Sequence, residues 1–242
     1  ERRPRCGAAL KELVFGDYRS RRHAYWELRA EIRAHGLGEA CFRPTTRRRE
    51  WGFPAICDLE KRFGLRSAFY FAVVNRSVGH PCDVDYDVSR ARYRRLFRRL
   101  LAGGWEVGLH AAYLTYLGVL PAEQQHRRVA ELAGVRAAGV RHHYLQLGPN
   151  DPLRILTAHA AAGATYDSSI GYNDGPGFRL GAALPIELYD CDRGIASELI
   201  ELPMTLADMH LPEFDAPAAT RAVVGHLETL RDLGGWGCSI GT

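Results

Sequence analysis

The chain has 242 residues, of which 46% are hydrophobic and 25% are charged. This composition is typical of a soluble globular protein, and the length suits one α/β domain better than two. The formal net charge of +4 is too mild to indicate nucleic-acid binding by itself. No apolar run approaches the roughly 20 residues that cross a bilayer, so we expect no membrane span.

The six cysteines are scattered and form no Cys-x-x-Cys pair. This pattern is typical neither of a zinc knuckle nor of a secreted disulfide framework, so it predicts a reducing, cytoplasmic location. The chain starts without a methionine or the apolar core of a signal peptide, and it stops within a predicted strand. We therefore expect a trimmed or incomplete chain, and its oligomeric state is not predicted.

Residues 1–50 are basic and weakly patterned, with one predicted helix over about 11–35. Arginine clusters at 19–22 and 47–49 could in principle bind nucleic acid. Convincing nucleic-acid sites add interleaved aromatics within a known module, so we favour a solvated or partner-facing surface. The predicted organisation is a basic N-terminal helical segment followed by one α/β domain over 51–242.

From residue 51 onward, helical and strand patterns alternate at spacings of about 25 to 35 residues, which predicts a parallel α/β sheet or barrel. The chain has no Gly-x-Gly-x-x-Gly, P-loop or Gly-x-Ser-x-Gly motif, which disfavours nucleotide-binding folds and serine hydrolases. The predicted helices are 53–63, 89–101, 121–138, one starting at 151, and 216–233. The predicted extended segments are 67–74, 105–109, 141–145, 164–169, 198–206 and one after 235.

Polar side chains stand at the ends of four of these segments. The carboxyl ends of parallel strands meet at one mouth of an α/β fold, so these side chains are expected to converge. His110 could be a metal ligand, an acid or base, or a histidine satisfied at a helix start. An arginine beside a carboxylate there would lower the pKa of that carboxylate. The residues are His110, then Arg141 with Tyr144, then Asp167 with Ser168, then Asp208 with His210.

Three stretches are distinctive: Glu-Val-Gly-Leu-His at 106–110, Arg-His-His-Tyr-Leu at 141–145, and the Tyr-Asp-Ser-Ser segment with its Gly-rich continuation at 166–179. Together they resemble the polysaccharide deacetylase superfamily, more narrowly a divergent bacterial branch found with surface-polysaccharide genes. The resemblance covers residues 51–210. It implies a distorted (β/α) barrel, incomplete at its ends in this chain. The implied activity is divalent-metal-dependent, most simply zinc-dependent, removal of N- or O-linked acetyl groups from a carbohydrate or glycosylated substrate.

The resemblance also implies roles for individual residues. His110 matches the first histidine of the family's metal motif, and Arg141 matches the arginine that orients a catalytic carboxylate. Asp87 is the loop carboxylate that we expect near the metal. The predicted site has Arg141, Asp167 and His210 in catalytic roles, Tyr113, Tyr144, Tyr172 and Asp174 against the substrate, and His110 and Asp87 on the metal.

The chain departs from the family pattern in several places. Leu114 stands where the family has a second metal histidine, and nothing in 1–50 matches its opening pair of aspartates. The alternating carboxylates Asp83 and Asp85 follow the strand of 67–74, and we expect them to be solvated loop residues. These departures leave a second function open, a catalytically degenerate member that binds carbohydrate or serves a structural role.

Several candidate residues also have a structural interpretation. Arg141 and Asp167 could form a salt bridge that ties two strands together. The segment 172–174 could simply shape a turn. His142 and His143 are neighbours in an extended segment, so one of the two is expected to point away from the mouth.

Overall fold

The computed structural model describes residues 52–148, 152–190, 194–212, 215–232 and 239–241. The chain divides into two compact units, Glu1–Gly64 and Leu65–Thr242. The described part of the first unit holds helix α1 (Phe53–Arg62), which has a proline in its first turn, where no amide hydrogen is needed. The basic segment predicted for 1–50 lies outside the described residues, so the predicted domain division stays a prediction.

Helices and strands alternate along the second unit, as the apolar patterns predict. Its described helices are α2 (Ala91–Ala102), α3 (Ala122–Ala133), α4 (Pro152–Ala161) and α5 (Ala216–Asp232). Its described strands are β1 (Ala68–Phe71), β2 (Glu106–Ala111), β3 (Gly139–His142), β4 (Tyr166–Asp167), β5 (Ile186–Asp190), β6 (Ile195–Glu201), β7 (Met204–Ala207) and β8 (Ser239–Gly241). Short 3-10 helices follow β2, β3 and β7, at Tyr113–Leu117, His143–Leu145 and Asp208–His210.

Most of these strands form a parallel sheet in the order β1-β2-β3-β4-β6-β5. Strand β5 is antiparallel to β6, whereas β7 and β8 form a separate parallel pair. The predicted α/β class with a parallel sheet is therefore confirmed. Closure into a barrel stays a prediction. Within the described parts of the chain, no helix is long and apolar enough to cross a membrane.

The structure differs from the prediction around β5 to β7. The single strand predicted for 198–206 is two strands, β6 and β7, with Pro203 between them. Proline has no amide hydrogen for the ladder, so it interrupts a continuous strand. Strand β5 was not predicted, because its half-exposed residues at the sheet edge lack a strong apolar pattern. Helix α3 ends earlier than predicted because Gly134 takes a left-handed φ of 78°.

The packing of α2 on β2 positions the end of β2. Helix α2 buries Tyr93, Leu96, Phe97 and Leu100 on one face, and each such burial stabilises the fold by about 1.5–3 kcal/mol. On β2 itself, a Cβ at Gly108 would lie 2.6 Å from the ring of Tyr70 and 3.0 Å from the carbonyl of Gly139. A glycine is therefore required where β2 passes its neighbours. Two residues later, the strand presents His110.

Candidate active site

His110 and His143 meet at the carboxyl end of the sheet. His110 lies near the end of β2, and His143 begins the 3-10 turn that directly follows β3. The two strands pair in parallel with His110 opposite Arg141, which brings the next turn beside β2. His110 Nε2 lies 2.8 Å from His143 Nδ1. The register of the sheet thus forms a histidine pair from residues far apart in sequence.

A hydrogen bond to His143 and the burial of His110 determine which ring nitrogens of the pair carry protons. His143 Nε2 lies 2.8 Å from the carbonyl oxygen of Cys82, which can only accept, so this nitrogen carries the proton. His143 Nδ1 therefore directs a lone pair toward His110. Burial is the main cause that lowers the pKa of His110 to about 3, and the nearby His143 and Arg141 add to it. The His110 ring is therefore a neutral imidazole, the form that binds a metal.

A buried aspartate holds the loop beside this pair. Asp83 is only 3% exposed, and its carboxylate accepts hydrogen bonds from the backbone amides of Tyr113 at 2.8 Å and His80 at 2.7 Å. Asp83 directly follows Cys82, the residue whose carbonyl accepts from His143. The expectation that Asp83 is a solvated loop residue is therefore wrong. The amides at the start of a turn need an acceptor, and this carboxylate provides one.

Aromatic rings flank the histidine pair. His80 stacks on Tyr113 with ring centroids 4.6 Å apart. Tyr144 lies edge-on to both Tyr113 and His143, at centroid distances of 5.9 Å and 4.6 Å. Tyr144 remains 40% exposed. Of the four residues predicted to contact substrate, Tyr144 therefore lies against His143 and Tyr113 lies against Tyr144.

The turn after β3 has an unusual backbone. Tyr144 and Leu145 both take left-handed φ values, 55° and 53°. For residues other than glycine this conformation costs about 1–2 kcal/mol each, so surrounding contacts must hold it. One such contact is the Asn173 side chain, which donates to the carbonyl of Tyr144 at 2.9 Å. Backbone strain of this kind concentrates at functional sites.

Arg141 lies on β3 opposite His110 and contacts the end of β4. Its Nε donates to the carbonyl of Ser168 at 3.0 Å, and its Nη2 donates to the hydroxyl of the same residue at 2.8 Å. The guanidinium carbon also lies 4.8 Å from the centre of the Tyr70 ring. Arg141 therefore joins β3 to the turn after β4.

Asp167 is fully buried and forms a carboxyl pair with Glu201. The two residues lie opposite each other in the parallel pairing of β4 with β6, which brings their carboxyl groups together. The second carboxyl oxygen of Glu201 is buried, with no hydrogen-bond partner among the described residues. Ser169 donates to Asp167 through its amide at 2.7 Å and its hydroxyl at 2.9 Å, and the amide of Ile170 donates to Glu201 at 2.9 Å.

Burial raises the pKa of both carboxyls, and the charge of Asp167 raises the pKa of Glu201 further. The predicted lowering of the Asp167 pKa by Arg141 is present, but burial outweighs it. Near neutral pH the pair therefore holds one proton. Glu201 carries this proton, while Asp167 accepts hydrogen bonds from Ser169.

A second histidine cluster was not predicted. His126 Nε2 lies 3.0 Å from His159 Nδ1, and His159 Nε2 lies 2.9 Å from His142 Nε2. We call these three buried residues the histidine chain. Because its neighbours use different nitrogens of His159, the rings do not converge on one point. Burial lowers the pKa of His126 to about 4 and that of His142 to about 3, so the histidine chain is uncharged near pH 7.

The histidine chain also answers which of the two adjacent histidines points away from the mouth. His142 faces His159, whereas His143 faces His110. The expectation that the two neighbours point to opposite sides is confirmed. The sequence alone did not indicate which one would face the site.

The remaining predicted residues have other surroundings. Asp87 accepts hydrogen bonds from the amide and hydroxyl of Ser89, which lower its pKa, and it faces Arg90. His210 Nδ1 accepts from the amide of Ala207 at 3.1 Å. The other nitrogen of His210 is buried, with no hydrogen-bond partner among the described residues. Tyr172 and Asp174 are exposed in the loop after β4. Their predicted roles, like those of Asp87 and His210, stay predictions.

The described side chains include suitable types of metal ligand, but fewer ligands than a catalytic metal usually has. The histidine pair offers imidazole nitrogens, and the His143 bond to the Cys82 carbonyl is the outer contact typical of a metal-binding histidine. A catalytic zinc has three protein ligands as a rule. In the described parts of the chain, no group of three or more histidine, cysteine or acidic side chains could hold a metal. The metal therefore stays a prediction, with two candidate ligands.

Comparisons with known proteins found no matching family model and no matching curated protein. One similar solved structure is assigned to a polysaccharide deacetylase from Mycobacterium smegmatis, with a TM-score of 0.54 and 17% identity over 98% of this chain and 72% of that chain. Another is the Xyl-CE4 domain of a multidomain xylanase from the hindgut metagenome of Trinervitermes trinervoides. It has a TM-score of 0.34 and 11% identity over 77% of this chain and 80% of that chain. The first likeness shows that this chain has the fold of that deacetylase structure.

Proposed function

We propose that the chain is a deacetylase-type hydrolase that removes an N- or O-linked acetyl group from a carbohydrate or glycosylated substrate. The observation that supports the proposal is the His110–His143 pair, 2.8 Å apart at the carboxyl ends of two parallel strands. Catalytic groups of parallel α/β folds lie at this edge. The likeness of the fold to a polysaccharide deacetylase structure favours the same reaction class.

A divalent metal, most simply zinc, would be held by His110 Nε2 and His143 Nδ1. Bound there, it would polarise the acetyl carbonyl and lower the pKa of a bound water. The bond from His143 Nε2 to Cys82 keeps Nδ1 free of a proton and so ready to bind. Metal binding would also require His110 Nε2 to give up the proton that it donates to His143 Nδ1 in this pair, and the low pKa of His110 keeps a second proton off the ring.

The surrounding residues would bind and orient the sugar. The rings of Tyr113 and Tyr144 present apolar faces with a hydroxyl at the edge, which suits a sugar ring with its mixture of C–H and O–H groups. The guanidinium of Arg141, held by Ser168, belongs to the residue opposite His110 across the two strands, and its positive charge acts on His110. We propose that this charge stabilises the oxygen of the acetyl group as it becomes negative.

The test is acetate release from N-acetylated and O-acetylated oligosaccharides, with zinc or with a chelator present. We expect release that the chelator abolishes and that His110→Ala and His143→Ala each reduce by about 100-fold or more. His226→Ala is the matched control, because His226 contacts Thr205 and lies on α5. Release that persists unchanged in both site variants would overturn the proposal.

A second candidate function is carbohydrate binding without hydrolysis. It is favoured by Leu114, where the family has a metal histidine, and by the shortage of a third ligand among the described side chains. In that case oligosaccharides would bind with an affinity that depends on Tyr144 but not on a chelator, and no acetate would be released. Calorimetric titration with the same oligosaccharides distinguishes the two functions.

A further inference from the structure

We infer that the histidine chain of His126, His159 and His142 positions His143 against His110. This inference rests on the proposed function, in which His143 is a working residue. The three members of the histidine chain are positioning residues, since their described side-chain hydrogen bonds join them to one another and not to the His110–His143 pair.

His142 is held at both its backbone and its side chain. Its amide donates to the hydroxyl of Ser169 at 2.9 Å, and its ring bonds to His159 at 2.9 Å. Side chains that follow one another in an extended segment point to opposite faces. Fixing His142 toward the helices therefore directs His143 toward the other face, where His110 lies.

The turn that follows needs such an anchor. Tyr144 and Leu145 hold left-handed φ values that are unfavourable for their residue types. A turn under this strain relaxes unless the chain on either side of it is fixed. The bond between His142 and His159 fixes the side before the turn, and the bond from Asn173 to the Tyr144 carbonyl fixes the turn itself.

The two outer histidines connect this anchor to the helices. His126 lies on α3 and His159 lies on α4, and these two helices contact each other. All three rings are buried, at 5%, 0% and 1% exposure, so their hydrogen bonds are shielded from water. Directional bonds among buried polar groups specify one arrangement, which apolar packing alone does not. The histidine chain thus fixes the orientation of the His142 ring through hydrogen bonds that connect it to both helices.

Two substitutions of one residue separate positioning from simple stabilisation. In His159→Gln the side-chain amide reaches the place of Nε2, so the bond to His142 is kept and the bond to His126 is lost. In His159→Asn the amide takes the place of Nδ1, so the bond to His126 is kept and the bond to His142 is lost. Leu156→Ala, a buried change on the same helix, is the control for lost stability.

The readouts are the ring-nitrogen NMR shifts of His110 and His143, and kcat and KM for acetate release. We expect His159→Gln and Leu156→Ala to keep the wild-type ring shifts. We expect His159→Asn to change the shifts of His143 and to lower kcat by about 10- to 100-fold, the range for outer contacts of metal ligands, with little change in KM. Equal changes in the two His159 variants, or none in either, would overturn the inference.

The inference can also be tested if the His159 variants do not fold or if the wild-type protein is inactive. If the His159 variants do not fold, Ser169→Ala removes the other anchor of His142. A shift of the His143 signals would then support the inference, and unchanged signals would overturn it. If the wild-type protein releases no acetate, the proposed function fails, but the ring shifts still decide whether the histidine chain positions His143.

Discussion

Replacing Glu201 by glutamine should remove much of the pH dependence of stability that the buried carboxyl pair causes. Burial and the charge of Asp167 raise the pKa of Glu201 above its ordinary value of 4.5. A group with a raised folded pKa gives stability that is complete below the unfolded pKa and is lost as pH rises through the folded pKa. Between those two values, wild-type stability should fall by about 1.4 kcal/mol for each pH unit.

Glutamine suits this test because it keeps the shape and the hydrogen bonds of the protonated acid. Its carbonyl oxygen can still accept from the amide of Ile170, and its amide can donate to Asp167. It also stays neutral at every pH. The unfolding free energy of Glu201→Gln near pH 5 should therefore lie within about 1 kcal/mol of wild type. Toward pH 8 the variant should become the more stable protein.

The assay is urea unfolding at several pH values from about pH 5 to pH 8. Glu198→Gln is the control, because Glu198 is exposed on the same strand, and it should keep the wild-type slope. Two outcomes would contradict this explanation of the pH dependence. One is a Glu201→Gln protein that keeps the wild-type slope, and the other is a large loss of stability already at pH 5.

Substitutions at three further positions test the buried contacts around the site, each by urea unfolding. Asp167→Asn should cost about 1–3 kcal/mol, because the amide offers one acceptor oxygen for the two hydrogens that the amide and hydroxyl of Ser169 donate; an unchanged midpoint would contradict this. Asp83→Ala should cost a similar amount, about 1–3 kcal/mol, since two backbone amides lose their acceptor, and Asp83→Asn should cost less. Gly108→Ala should cost about 3 kcal/mol or more, because the new Cβ would meet the ring of Tyr70; a fully stable variant would be evidence against this close strand packing.

The sequence predicted most of the helices and strands, though not β5 or the break between β6 and β7, and it predicted that His110 lies near a strand end. These features follow from the local spacing of apolar residues. The stripe of Tyr93, Leu96, Phe97 and Leu100 has the period of a helix, and all four are buried. It did not predict that His110 and His143 would touch, because that contact depends on the register between β2 and β3. Alternation predicted that His142 and His143 face opposite sides, but not which side each faces.

The residues that sequence reasoning missed are polar groups whose partners are distant in the chain. Glu201 was not singled out from the sequence, yet it is fully buried opposite Asp167 at the end of β6. His126 and His159 lie 33 residues apart on two helices, and only the packing of those helices joins them. Asp83 was interpreted as solvated because carboxylates usually are. An acidic residue in a tight turn before a histidine-bearing strand could have suggested backbone capping.

Zinc binding by the whole chain, measured by calorimetry at neutral pH, tests most directly whether His110 and His143 act together as the working centre. We expect one zinc per chain and an affinity that falls by about 100-fold or more in both His110→Ala and His143→Ala. His226→Ala, a histidine that instead contacts Thr205, should bind as wild type does. No zinc binding by the wild-type protein, or equal zinc affinity in all three variants, would contradict the proposal that His110 and His143 bind the metal together.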